Sequence, residues 1–298
     1  EPVESVAPIS DLITGTVLYN KMVEDIVSGE TDLTITEHRI LFFLANIEGG
    51  QARIRTLAEA LVLRSSTVSD AVKELEEASL VQKIDRENDL KAVWTALTEE
   101  GEAALAEADA IIERETAEYW AIIGPEVSAH YFASATRLLK TCDWPLGAAL
   151  ERPAPVFYSF TSRRYLLSYV SWFKSTYNLS LIDVRILFLL LERDKELTCT
   201  EVAHLLKVSN SAVSNAVRRL SRIRKYVERT RAASGHEVQI GLTAEGADRA
   251  SEVRERFIRF HLEQFNQTRE EFEESLHTVH PRRRKSYMQK VFGEGFAD

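Results

Sequence analysis

The chain has 298 residues, 45% hydrophobic and 28% charged, with 46 Asp and Glu against 37 Lys and Arg and a net charge of −9. This is an ordinary globular composition, long enough for about two domains, and no apolar run nears the ~18–20 residues that a membrane span needs. The opening "EPVESVAPIS" has neither the basic nor the apolar region of a secretory signal, and the 2 cysteines, Cys142 and Cys199, make no disulfide framework and fit a reducing cytoplasm.

In chain order, Ile9 to Val27 carries apolar residues at helical spacing and predicts a first helix. Thr36 to Ile47 predicts a second, strongly apolar one, stopped by "EGGQA". Arg55–Leu61 and Ser65–Ala78 read as a short and a longer helix. "LVQKI" and "KAVWTAL" read as strands joined by the charged loop "DREND". Thr98 then caps a long helix to about Ile122, with Glu99, Glu100 and Glu102 in the turn where the helix dipole favours anions. Pro125 opens a last helix to about Leu139.

After the helix-breaking "CDWPLGAALERPAP" the order recurs. Helices are expected over Phe157–Tyr177, Leu181–Arg193, Thr200–Leu206, Ser209–Lys225, Thr243–Gln267 and Thr268–Phe292, with strands near "YVERT" and "EVQIGL". The sequence itself repeats. "TEHRILFFLA" returns as "IDVRILFLLL", with Arg39 and Arg185 in register; "STVSDAVKEL" returns as "SAVSNAVRRL", and "LTEEG" as "LTAEG". The fold expected is mainly α, with two tandem winged helix-turn-helix domains over 1–148 and 149–298, each of about six helices and one β-hairpin wing. The copies differ in charge: residues 1–150 hold 12 basic and 27 acidic residues, and the remainder 25 and 19. The whole-chain charge therefore does not exclude nucleic acid, because binding depends on the field at one face.

The fourth helix of the second copy carries that field. From Lys207 to Lys225 there are six cations and no acid. Val213, Ala216, Val217, Leu220 and Ile223 form an apolar stripe; Ser211, Ser214, Asn215, Arg218 and Arg222 form a polar one on another face. Exposed Ser, Asn and Arg are common on any helix. Here, however, they stand on the second helix of a helix-turn-helix, whose first residues reach base edges. Asn pairs bidentately with adenine and Arg with guanine. Lys83 and Lys91, and Arg224, Lys225 and Arg229, are placed for phosphates; Lys207, Ser209 and Asn210 belong to the same DNA-binding set. Arg231, and Arg86 at the corresponding place in the first wing, are placed for the minor groove. The first copy offers Arg64, Ser65, Ser66, Thr67, Ser69 and Lys73, but residues 62–80 hold two cations and four anions. That copy is expected to hold DNA more weakly, adding sequence reading rather than charge, or to leave it alone.

The helix order, the wings bearing Arg86 or Arg231, and "LTEEG" and "LTAEG" opening a long helix resemble the MarR family of bacterial regulators, in its tandem, Sar-like form. The resemblance implies a transcription regulator in which one chain acts as a pseudo-dimer on a pseudo-palindromic site of double-stranded DNA, either monomeric or as a homodimer of that unit. It also implies a small aromatic effector between the dimerising and DNA-binding parts. The outer helices carry residues for burial between copies: Leu105, Ile111, Ile112, Tyr119, Trp120, Tyr165, Tyr169, Trp172, Phe173, Val253, Phe257, Ile258, Phe260 and Phe265. The acidic first recognition helix departs from the family pattern. Other chemistry is faint. His277 and His280 are half of a metal site that no cluster completes, and neither cysteine lies in the first helix, where peroxide-sensing relatives keep theirs. No phosphate loop, nucleophile elbow or HExxH occurs, so no cofactor, metal or enzymatic activity is expected. The competing classes are a winged-helix protein-interaction module and an architectural DNA binder without sequence preference.

Overall fold

A computed structural model describes residues 9–84, 94–142, 144–231 and 238–278, the side chains of 277 and 278 excepted. The first copy contributes α1 (Ile9–Glu30), α2 (Ile35–Asn46), β1 (Gln51–Arg53), α3 (Ile54–Leu61), α4 (Ser65–Glu77), β2 (Val81–Ile84), β3 (Trp94–Leu97), α5 (Glu99–Ile123) and α6 (Pro125–Lys140). A 3-10 turn at Gly147–Glu151 leads to the second copy. That copy contributes α7 (Ala154–Tyr177), α8 (Leu181–Arg193), β4 (Leu197–Thr198), α9 (Cys199–Leu206), α10 (Asn210–Arg222), β5 (Val227–Arg231), β6 (Val238–Leu242), α11 (Ala244–Phe265) and α12 (Arg269–Thr278). The last expected helix thus begins where the sequence places it, and its stretch from 279 to Phe292 lies outside the described residues.

The chain forms two compact units, one of residues 1–17 with 169–298 and one of residues 18–168. They are called here the basic and the acidic unit, after their recognition helices. Two helices are divided between the units: α1 up to Val17 belongs to the basic unit, and α7 up to Ser168 to the acidic one.

Each unit has a three-stranded antiparallel sheet, in the order β1-β3-β2 or β4-β6-β5. One hairpin per copy was expected, so β1 and β4 correct that reading. These strands are three and two residues long, too short to show alternation. β1 pairs with β3 from Gln51↔Ala96 to Arg53↔Trp94, and β4 with β6 at Leu197↔Ile240 and Thr198↔Gln239. The third strand ties the front of the helix-turn-helix to the wing.

The "LT..G" motif has a steric cause. Thr243 caps α11, accepting from the Gly246 N–H at 3.0 Å, while its hydroxyl donates to the Lys225 carbonyl at 2.7 Å and its N–H to the Tyr226 carbonyl at 3.1 Å. This draws the first turn of α11 onto the backbone ahead of β5, and a Cβ on Gly246 would lie 1.9 Å from the Tyr226 oxygen. Thr98 and Gly101 repeat the arrangement, with the Leu80 oxygen 2.0 Å from the missing Cβ.

In the basic unit, α8 buries Val184, Ile186, Leu187 and Phe188 against Phe173 and Phe257. In the acidic unit, α2 buries Ile40 through Leu44, and Phe42 stacks on Phe160 at 4.5 Å. Tyr19, Tyr119, Trp120, Phe132 and Tyr158 pack edge-on or tilted at 4.7–6.2 Å, so these aromatics fill one another's space as core.

α8 also carries two polar groups seven residues apart on one face, the buried Arg185 and the half-buried Glu192. The Glu192 carboxylate accepts from the Ile9 N–H at 2.7 Å and the Ser10 N–H at 3.1 Å, capping the otherwise open N-terminus of α1, with Arg254 at 3.6 Å behind it. Arg185 is considered below. At the position matching Glu192, α2 has Asn46, whose Oδ1 accepts from Arg152 Nε at 3.3 Å. Arg152 also pairs with Asp109 at 2.6 Å, and Asp109 meets His38 at 3.0 Å.

Gly246→Ala is expected to cost about 1–3 kcal/mol through overpacking against backbone that cannot yield, read as a lowered urea midpoint. Glu192 makes a pH-dependent prediction. Burial, outweighing its hydrogen bonds and Arg254, raises its carboxyl above the usual 4.5. A raised folded-state value favours the protonated form, so its contribution is full below the unfolded value and is lost as pH rises through the folded one. Glu192→Gln should therefore gain stability relative to the native chain as pH is raised from about 4 to 7, measured by thermal unfolding across that range.

Candidate nucleic-acid interface

α10 orients its surface by burying one stripe. Val213, Ala216, Val217 and Leu220 are fully covered, whereas Ser211, Asn215, Arg218 and Arg222 are exposed and Ser214 is half-buried. Ile223, expected to extend the apolar stripe, is 72% exposed. The helix ends at Arg222, and Ile223 is its C-cap, beyond the last turn that faces the core. The helix is also shorter than expected at both ends. Ser209 is its N-cap, accepting from the Ala212 N–H at 3.2 Å, with the Ser211 hydroxyl 3.0 Å away. Lys225 is left-handed at φ 59 and turns the chain toward the wing.

The six cations of Lys207–Lys225 divide into different roles. Arg219 pairs with Asp183 at 2.8 Å and reaches the Ser180 hydroxyl at 3.3 Å, clamping α10 to the first turn of α8. Arg224 donates to the Asn178 carbonyl at 3.0 Å. Lys207 closes α9 in the left-handed conformation at φ 51, and desolvation holds its ammonium pKa below the usual value. Arg218 and Arg222 remain on the exposed stripe with Asn210, and Lys225 follows them. Past the helix end lies an open cleft of about 400 Å³, lined by Ser221, Arg222, Lys225, Val227, Glu228, Arg229 and Thr243. Arg229 and Arg231 are exposed on β5, Arg231 opposite Val238. The basic side chains thus run from the outer face of α10 through the cleft and along the wing strand.

In the acidic unit, α4 buries Val68, Ala71, Val72 and Leu75 and exposes Ser65, Ser66, Ser69, Asp70 and Lys73, with Thr67 half-buried. Arg64 stands at its N-cap, where its side chain accepts nothing from the first-turn N–H groups. Lys73 lies 3.4 Å from Glu77, and Lys83 pairs with Glu76. Two cations that would meet phosphate are thus partnered by the helix's own acids. Arg86 and Lys91 fall outside the described residues, as do His280 and the side chain of His277. Among the described residues no group of three or more His, Cys, Asp or Glu could hold a metal ion, and no helix is long and apolar enough to cross a membrane.

Sequence reasoning missed the residues that hold the carboxyl ends of the short helices ahead of α10 and α4. Arg185 is 3% exposed; its Nη2 donates to the carbonyl of Leu206, the last residue of α9, and to Thr14 Oγ1 at 3.2 Å. Arg39 is 2% exposed; its Nη2 donates to the Leu61 carbonyl, the last of α3, at 3.0 Å, and its guanidinium lies 5.8 Å from the Phe160 ring centre. Among the described residues neither has a carboxylate at ion-pair distance. The negative end of the α9 or α3 dipole faces each charge instead. Burial pushes Arg39 down to about 9, helped by nearby Arg163 and Arg164, and Arg185 down to about 10. The sequence did hold a signal: one Arg at the same place in two otherwise apolar stretches, "RILFFLA" and "RILFLLL".

Comparison with known proteins finds one matching segment by family: residues 31–92 match the MarR family. No curated protein matches the chain. Among solved structures, AbsC, a MarR family transcriptional regulator from Streptomyces coelicolor, is similar at 24% identity over 37% of this chain and 76% of that one, with a TM-score of 0.32. Wild type MarR from E. coli in its apo form is similar at 16% identity over 37% of this chain and 84% of that one, with a TM-score of 0.32. The YusO protein from Bacillus subtilis is similar at 22% identity over 38% of this chain and 81% of that one, with a TM-score of 0.31. The winged helix within residues 31–92 is accordingly a MarR family domain.

Proposed function

We propose that the chain is a transcription regulator that binds specific duplex DNA through two unequal winged helices, residues 1–148 and 149–298 forming two domains that act as a pseudo-dimer on a pseudo-palindromic site. The observation that carries the reading is the exposed Ser211, Asn215, Arg218 and Arg222 stripe, opposite a fully buried apolar one and continuous with the cleft of Arg222, Lys225 and Arg229. Ser211, Ser214, Asn215 and Arg218 read bases in one major groove; Lys225 and Arg229 hold phosphates and set register, and Arg231 enters the minor groove. Ser66, Thr67, Ser69 and Lys73 face the next major groove, about one helical turn away. The pseudo-dimer is supported by the repeated element order and by the division of α1 and α7 between the compact units. A small aromatic molecule as effector belongs to the same proposal.

Selection of bound duplexes from a random pool tests this reading. Two half-sites of unequal information content support it. A flat preference leaves an architectural binder, and no binding even at low salt leaves a protein-interaction module, whose contact would be the acidic α4. Within the proposal, Arg218→Ala with Arg222→Ala is expected to weaken operator binding by roughly a hundredfold and to flatten the salt slope. Lys73→Ala, already paired with Glu77, should change binding less than about threefold. Gel shifts over a salt series measure both, and equal losses would defeat the asymmetry. Arg219→Ala should instead lower stability by about 1 kcal/mol, because its guanidinium clamps α10 to Asp183. Urea unfolding separates that effect from DNA contact.

A further inference from the structure

The proposed DNA reading leaves the buried arginines without a role. Arg185 stands where three elements meet in the basic unit. It belongs to α8. It donates to the Leu206 carbonyl, three residues ahead of the Ser209 cap of α10, and to Thr14 Oγ1 on α1. The direction of the Thr14 contact is fixed, because the Thr14 hydroxyl spends its own proton on the Ser10 carbonyl at 2.7 Å and so presents only lone pairs to the guanidinium. Arg185 Nε has no hydrogen-bond partner among the described residues. Both bonds come from Nη2, so one nitrogen is shared between the end of α9 and the side of α1. A shift of α1 along α8 therefore pulls on the same nitrogen that holds the α9 carboxyl end.

The next residues are built to respond. Lys207 is left-handed, the Val208 N–H closes onto the Ala203 carbonyl at 3.1 Å, and Ser209 caps α10. Any change at the Leu206 carbonyl thus acts on the turn that sets the angle between α9 and α10. α1 is fixed at a second point on the same helix, seven residues on, where Glu192 caps its N-terminus. The acidic unit repeats the joint with different chemistry: Arg39 links the Leu61 carbonyl of α3 to Phe160 of α7. There a second cation from α7, Arg164, also holds the Ala60 carbonyl at 2.9 Å.

We propose that Arg185 is a positioning residue for DNA recognition, a shared joint through which the placement of α1 on α8 sets the pitch of recognition helix α10, with Arg39 the counterpart for α4. Thr14 is then a residue that tunes DNA affinity without approaching DNA. The inference rests on the proposed DNA reading for its affinity readout but has a second readout that does not.

Thr14→Val is the primary test, because it removes the acceptor and keeps the shape; Arg185→Lys keeps the charge and loses the fork. Each full-length variant is compared with the native chain for affinity to the selected duplex over a salt series, thermal unfolding, and amide hydrogen exchange at residues 206–214. Thr14→Val should keep its melting temperature within about 4 °C. It should weaken duplex binding at least about fivefold, with the salt slope unchanged because no phosphate contact is lost. Exchange in the α9–α10 turn should rise. A merely structural role would move the melting temperature and leave affinity per folded molecule alone. Native affinity together with native exchange in Thr14→Val overturns the proposal. If the native chain binds no duplex, the DNA reading fails by itself. The exchange measurement then decides the joint alone: faster exchange in 206–214 upholds it, and unchanged exchange overturns it.

Discussion

A guanidinium buried without a carboxylate is an expensive object, and among the described residues each compact unit keeps one. Its compensation is local: the carboxyl end of a short helix, whose last carbonyls have no partner of their own. That helix is α9 or α3, the first of the helix-turn-helix, and it has eight residues, too few to hold itself in place. The bond from Arg185 or Arg39 and the strand preceding each short helix fix its two ends. The wing is fixed from the other side, where Thr243 or Thr98 brings the long helix against backbone that only a glycine can approach. The exposed stripe of α10 can face outward in one orientation because both neighbours of the turn are pinned.

Electrostatics then assigns different work to residues that composition treats alike. The cations of Lys207–Lys225 look equivalent in sequence. In the fold, Arg219 and Arg224 are partnered at the surface, by Asp183 and the Asn178 carbonyl, while Arg218, Arg222 and Lys225 stay on the exposed face. The partnered pair gives up part of the surface field and ties α10 and the residues after it to the start of α8. In α4, the acids at 76 and 77 neutralise the cations at 83 and 73. A difference of a few side chains thus leaves one helix with an outward cationic stripe and the other without.

Periodicity and repetition made most of the elements legible in sequence. The long helices, the hairpin strands and the Thr caps follow from spacing and from side chains whose effect is local, and α10's buried stripe was readable up to Leu220. What was not legible depends on partners far away in the chain. β1 and β4 are strands only because β3 and β6 lie beside them. Ile223 continues the helical pattern in sequence, yet the helix stops one residue before it. Glu192 reads as an ordinary helix-end acid, and its role as the cap of α1 involves a contact across more than 180 residues. The fate of Arg219 depends likewise on Asp183, which in sequence is only the capping-box acid of α8.

The two units place different residues at matching positions, a freedom that identical subunits lack. In a symmetric pair each substitution appears twice and must suit both places. Here the matching places differ. Where one unit sets Glu192 against Arg254, the other has Asn46 and Asp109, both bonded to Arg152 from the connecting segment. Thr14 beside Arg185 becomes Phe160 beside Arg39, a hydrogen bond exchanged for the face of a ring. Each joint keeps the bond to the helix-end carbonyl and differs in what else the guanidinium meets. A hydroxyl acceptor holds the guanidinium at one distance and angle, whereas a ring face tolerates sliding. Both short helices keep a directional bond to their last carbonyl, from Arg185 to Leu206 and from Arg39 to Leu61, so the two joints differ in the second partner of the guanidinium and not in the hold on the helix end.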